Sequence, residues 1–221
     1  MVGQLFDDGT YYHCDQYFVT FDDANPDGEP GKRDFDTLTP INADDEFYLH
    51  SLLCYSQHVV AAGHCCPLLW DVREPPASAQ RVASMDSITK HHLSLLATSK
   101  PMPTLQITCD LFPDDRSIKV LRPEGVTIGD VLDAIHTMLR QPILHDEWDL
   151  LSHKQRSRVA AVFEERCKIA PSPDKCRSHG ILRADSLIHH TLFAGLSVSP
   201  VNDCSAILTL RRRPHAPKSY E

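Results

Sequence analysis

The chain reads as an α+β protein: an antiparallel or mixed sheet packed on one main helix, residues 127–140, with further helices inserted at about 146–170. Three observations predict this. In residues 105–110, Leu105, Ile107 and Cys109 alternate with Gln106, Thr108 and Asp110. In residues 117–121, Ile118 and Val120 alternate with Ser117, Lys119 and Leu121. A period of two puts one set of side chains inward and the other outward, so both segments are strands. Between them, Pro113, Asp114 and Asp115 supply turn chemistry. Ile128, Val131, Leu132, Ile135, Met138 and Leu139 then recur at helical spacing and form one apolar stripe.

The main helix has a start and a stop. Thr127, with Asp130 three residues on, makes a capping-box-like beginning. Pro142 ends the helix, and Gln141 before it is pushed out of helical geometry. A second helical stretch covers about 146–151. A third opens at Ser152, with Gln155 as its capping partner, and is expected to bury Val159, Val162 and Phe163 before Pro171 and Pro173. Strand character returns at 191–196 and 205–211. Upstream, residues 67–72 read as a strand stopped by Pro75 and Pro76. Residues 77–100 show no clean period and read as connecting structure.

Charge divides the chain. Residues 1–46 hold 12 Asp or Glu against Lys32 and Arg33, a net −10, which leaves about +2 for the rest of the overall −8. The head is acidic, rich in proline and glycine and poor in apolar residues, so it cannot offset its ordering entropy. The expected organisation is a largely disordered segment 1–45, a single α+β domain 46–213 and a flexible tail 214–221. Tyr11, Tyr12, Tyr17, Phe18, Val19 and Phe21 are the exception in the head, as a docking segment or an added strand. The near-neutral body gives no reason to expect nucleic acid, which the acidic head would repel. No apolar run approaches the roughly 18–20 residues that span a bilayer, so no membrane partner is expected. The N-terminus lacks a basic then apolar leader pattern, which predicts an intracellular protein, cytoplasmic or nuclear and not secreted. Eight cysteines without any C-x-x-C then read as buried thiols.

Local catalytic signatures are absent. The chain has no G-x-S-x-G, no Walker loop and no G-x-G-x-x-G, and only nine glycines. The 13 histidines include the pairs His91-His92 and His189-His190, but no spacing suits a tetrahedral zinc site. Neither metal nor cofactor is expected. His64 beside Cys65-Cys66 is the local Cys–His pairing, and it reads as a loop before a buried strand. The acids Glu164 and Glu165 read as a solvated helix face. The candidate site residues are Trp70, Asp71, Arg183 and Asp185. Arg183 and Asp185 lie two apart in a segment read as extended, so their side chains share a face. With Asp71 they predict either an Arg–carboxylate clamp that fixes chain register or a ligand-binding polar cluster.

Two resemblances add to this. Leu69-Trp-Asp-Val72 with Pro75-Pro76, Val126-Thr-Ile-Gly-Asp-Val-Leu132, Arg166-Cys167, Gly180-Ile-Leu-Arg-Ala-Asp185 and Phe193-Ala-Gly-Leu196 resemble a fungal family of unknown function, abundant in mushroom-forming fungi. The likeness runs over roughly residues 50–211 and implies a domain boundary without an activity, cofactor or substrate. Hairpin, Thr-capped helix, Leu-Phe-Ala-Gly strand and a last strand ending at Arg211 are similar in order to the ubiquitin-like β-grasp. That similarity implies a binding module, and the chain lacks the di-glycine end of a conjugated modifier. The function expected is therefore that of an intracellular, non-catalytic interaction domain with a protein partner. The alternative is an enzyme using His, Cys or Asp side chains in a pocket near Trp70 and Arg183.

Overall fold

The computed structural model describes residues 11–12, 48–56, 65–109, 117–199 and 204–213. The acidic head apart from Tyr11 and Tyr12, the Pro113–Asp115 turn, His64 and the tail 214–221 lie outside the described residues.

The chain is α+β. Strands β1 (Tyr11–Tyr12), β2 (Leu49–His50), β3 (Leu68–Leu69) and β4 (Gln80–Arg81) precede a short helix α1 (Lys90–Ser94). The hairpin strands β5 (Thr104–Thr108) and β6 (Ile118–Leu121) lead into α2 (Ile128–Leu139). Helices α3 (His145–Leu150), α4 (His153–Ile169), α5 (Pro173–Ser178) and α6 (Arg183–Ser186) follow, and β7 (Leu192–Val198) and β8 (Ser205–Arg211) close the described fold.

The main sheet has four strands in the order β6-β5-β8-β7. Antiparallel β5 and β6 pair Leu105 with Val120 and Ile107 with Ile118. Strand β8 runs parallel to β5, and β7 runs antiparallel to β8, so the sheet is mixed. The alternation that predicts the hairpin is the alternation observed: Leu105, Ile107, Ile118 and Val120 are buried, while Lys119 and Leu121 are exposed.

Helix α2 lies where its stripe requires. Thr127 Oγ1 accepts from Asp130 N, and Asp130 Oδ2 accepts from Thr127 N at 2.9 Å, a capping box that satisfies two otherwise unpaired amides. All six stripe residues are buried in one core cluster with the inward side chains of β5 and β6 and with Ala206 and Leu208 of β8. Burying each Leu or Ile of this stripe contributes about 1.5–3 kcal/mol of transfer free energy.

Several local readings change. Residues 67–72 do not form one strand. Leu68–Leu69 pairs with β4, whereas Asp71 bridges to Leu192 of β7, so the segment divides between two partners. Residues 77–100 hold β4, α1 and bridges from Leu96 to Thr127 and Thr98 to Leu49. Helix α4 buries Val159 and Cys167, while Val162 and Phe163 are only half-buried. Its element contacts are with α5 and α6 at the periphery, so it has one narrow inward stripe. Tyr11 and Tyr12 form an added strand, antiparallel to β2.

The two edges of the main sheet differ. The outer edge of β7 is closed by Leu53–Tyr55 and by Trp70–Asp71. Leu196 N donates to Leu53 O at 2.6 Å, Tyr55 N to Leu196 O at 2.8 Å, and Phe193 N to Trp70 O at 2.8 Å. On β6, Arg122 N donates to Pro103 O at 2.9 Å. With the β5–β6 register, this places the backbone groups of Ile118 and Val120 toward β5 and those of Lys119 and Leu121 outward.

Candidate functional site

The predicted polar residues sit in three arginine–carboxylate clamps. Trp70 anchors the first. Its ring is buried 5.9 Å from that of Phe193, and its Nε1 donates to Glu74 O at 3.0 Å. Asp71, fixed beside β7, accepts from Arg73 Nε at 2.9 Å and Arg73 Nη2 at 2.7 Å. Arg73 N and Thr191 Oγ1 also donate to it. Burial would push the Asp71 carboxyl up, but the Arg73 hydrogen bonds and charge, helped by Thr191, outweigh it and hold the group below its ordinary value.

Arg183 carries the second clamp. Its Nε donates to Glu147 Oε1 at 3.0 Å, its Nη2 lies 2.9 Å from the same oxygen, and its Nη1 donates to Gln141 Oε1 at 2.6 Å. Both charged side chains are buried, 7% and 4% exposed. Glu147 Oε2 also accepts from Leu144 N at 2.8 Å, so the carboxylate caps α3 and binds α6 together.

Asp185 belongs to the third. Its two oxygens accept from Arg166 Nε and Nη2, each at 2.8 Å, in a bidentate fork, and Leu182 N donates to Oδ2 at 2.8 Å. Arg166 Nη2 further donates to Gly180 O at 2.9 Å, and the guanidinium stacks 5.3 Å from the Phe163 ring.

This corrects the extended reading of Arg183 and Asp185. They occupy the helical turn α6 and take different partners, Glu147 and Arg166. Asp71 pairs with Arg73. Sequence reasoning missed Glu147, Gln141, Arg166 and Arg73 as partners. Glu147 and Asp185 each stand at the third residue of a short helix, an acidic capping position, and that was the available signal.

Each carboxylate oxygen of Asp71, Glu147 and Asp185 accepts from at least one donor. The arrangement holds segments together: α3 to α6, α4 to α6, and the Trp70 segment to β7. The Cys66 thiol is pushed up to about 12 by burial, far from nucleophilic use at neutral pH, and its Sγ donates to Leu52 O at 3.3 Å. His92 Nδ1 accepts from Thr89 N at 3.3 Å and caps α1. Among the described residues, no three His, Cys, Asp or Glu side chains are grouped to hold a metal ion. No helix among them is long and apolar enough to cross a membrane.

A second candidate is the β6 edge. Leu121 is 71% exposed there, next to exposed Lys119. Among the described residues, the outward amides of Lys119 and Leu121 meet no backbone acceptor.

Asp71 gives a pH prediction. Because its folded value lies below the unfolded one, its contribution is present above the unfolded value and is lost as pH falls through the folded value. Stability should therefore drop as pH falls below about 4. Asp71→Asn should flatten that part of the curve, measured by urea unfolding from pH 6 to pH 3. An unchanged acid slope would rule Asp71 out as a source.

Fold and site together define an α+β domain with a mixed four-stranded sheet, a β6 edge without a strand partner among the described residues, and helices locked by arginine–carboxylate clamps. Residues 68–204, more than half of the chain, match the Family of unknown function (DUF6699), and the chain belongs to that family. No curated protein and no solved structure matches the chain.

Proposed function

We propose that this is a non-catalytic interaction domain that takes an extended segment of a partner protein along β6. The observation that carries this reading is the outward-facing backbone of Lys119 and Leu121 on a described edge, while segments of the same chain close the opposite edge at β7. An added strand gains its affinity from main-chain hydrogen bonds and its specificity from alternate side chains. A fitting partner places an acidic side chain beside Lys119 and an apolar one beside Leu121. Its inward side chains extend the buried face at Ile118 and Val120. The sheet order β6-β5-β8-β7, with β8 parallel to β5 and α2 buried against the hairpin, supports a β-grasp-like binding module. The free thiols of Cys65, Cys66, Cys167 and Cys176 favour an intracellular setting.

The test is Lys119→Pro. It removes an outward N–H and leaves the β5 ladder intact, a use of proline that edge strands accept. Extended peptides selected on the full chain from a displayed library should bind the variant about tenfold more weakly or worse. Binding should also slow amide exchange at Lys119 and Leu121, with Tm nearly unchanged. Peptides bound equally well by the variant would exclude this edge. Failure to select any peptide, together with no reproducible partner from native extract, would end the binding reading itself.

A further inference from the structure

Cys167 and Cys176 lie beside the Arg166–Asp185 clamp and apart from the sheet edge. Cys167 lies in the last turns of α4 and is fully buried. Cys176 lies on α5 and is half-buried. Their sulfurs are 3.3 Å apart, and both residues carry free thiols. Arg166 Nη1 lies 3.0 Å from Cys176 Sγ, so a fixed cation faces the sulfur of the less buried cysteine. A disulfide needs about 2.05 Å between the sulfurs, so closure asks for a movement of about 1 Å between two helices that already pack together.

We infer that Cys167 and Cys176 form a reversible disulfide when the protein meets hydroperoxide, with Cys176 oxidised first and Cys167 resolving it. Reactive cysteines need a partly exposed, electropositive setting, and Cys176 has both. Cys167 has the opposite setting: burial first, and then its hydrogen bond to Cys176, push its thiol up. That suits a sulfur that waits for its neighbour. The Cys176 thiolate attacks one oxygen of hydrogen peroxide; an S–O bond forms, the O–O bond breaks, and the departing hydroxide takes a proton to become water. The Cys167 sulfur then attacks the sulfenic sulfur. The S–S bond forms, the S–O bond breaks, and a second water leaves carrying the Cys167 proton. Two thiols lose two electrons, and the peroxide gains them.

The bond would tie α5 to α4 beside Gly180, whose carbonyl Arg166 also holds, and so would brace the Arg166–Asp185 clamp. This concerns the helical insertion and is independent of the β6 edge.

The experiment treats the full-length protein with hydrogen peroxide, alkylates remaining thiols under denaturing conditions and maps unreduced peptides by mass spectrometry. The expected product joins the Cys167 and Cys176 peptides with a mass lower by two hydrogens. It should disappear with dithiothreitol and be absent from Cys176→Ser. The oxidised protein should melt higher by roughly 5 °C or more, from closing a short loop. Cys176 found as sulfinic acid or linked to a second molecule, with Cys167 still alkylated, would overturn the inference. So would full alkylation of both thiols after treatment.

Discussion

Arg183→Ala should destabilise the fold by about 3–5 kcal/mol, because it leaves a buried carboxylate without its cation. The Glu147 side chain is 4% exposed, so water cannot replace the guanidinium without opening the contact between α3 and α6. Gln141 Oε1 loses its Arg183 donor in the same step. The contrast is the Lys168–Glu165 pair on α4, 67% and 68% exposed, where removing the lysine should cost under about 1 kcal/mol. Urea unfolding of both variants makes the comparison. Arg183→Ala costing no more than Lys168→Ala would mean that the clamp does not hold the helices.

A double replacement separates the clamp's net worth from the penalty of breaking it. Arg183→Met with Glu147→Leu removes both charges and keeps apolar volume. It should recover most of the loss, because an apolar pair of similar size is often as stable as a buried ion pair. Glu147 has a second task, accepting from Leu144 N at the start of α3. Recovery should therefore fall short by about 1 kcal/mol, the size of a lost cap.

Where the sequence was legible, a local period was long enough to fix a face. The stripe from Ile128 to Leu139 spans twelve residues and is buried as its spacing demands. The hairpin needed two short alternating runs, and each buried set is the one expected. The last strand falls at Ser205–Arg211, the segment in which strand character is expected. Helix α1 has five residues and α6 has four, too short to show a helical period, so by sequence alone the first reads as connection and the second as extended chain. The site was half legible for a different reason. Arg183 and Asp185 stand out as a charged pair in the sequence, but their partners stand 36 and 19 positions away. Spacing carries no information at that range. The Phe163 expectation failed on context, because α4 lies at the rim and Arg166 lies over the ring instead of a core side chain.

Gly195→Ala should be as damaging as the loss of Arg183, although it adds only a methyl group. Gly195 has φ +123, a backbone region that belongs almost entirely to glycine. It follows a register irregularity in β7 between Phe193 and Gly195. A Cβ there would lie 2.6 Å from Tyr55 Cα and 2.8 Å from the Cys54 carbonyl carbon, which are backbone atoms that cannot rotate aside. They belong to the segment that closes the β7 edge through the bonds from Leu196 N and Tyr55 N. The substitution must therefore either strain β7 or push that segment off the sheet. Backbone strain alone is about 1–3 kcal/mol, so a total of about 3 kcal/mol or more, and a Tm lower by roughly 10 °C, is expected. Gly180→Ala is the matched comparison: φ is +73, but nothing lies within 4 Å of the added Cβ. It should cost only the left-handed backbone penalty, about 1–2 kcal/mol. If the two alanine variants unfold at the same denaturant concentration, the close approach of residues 54–55 to β7 is wrong. If Gly195→Ala alone also speeds amide exchange at Tyr55 and Leu196, the closed edge of β7 has opened.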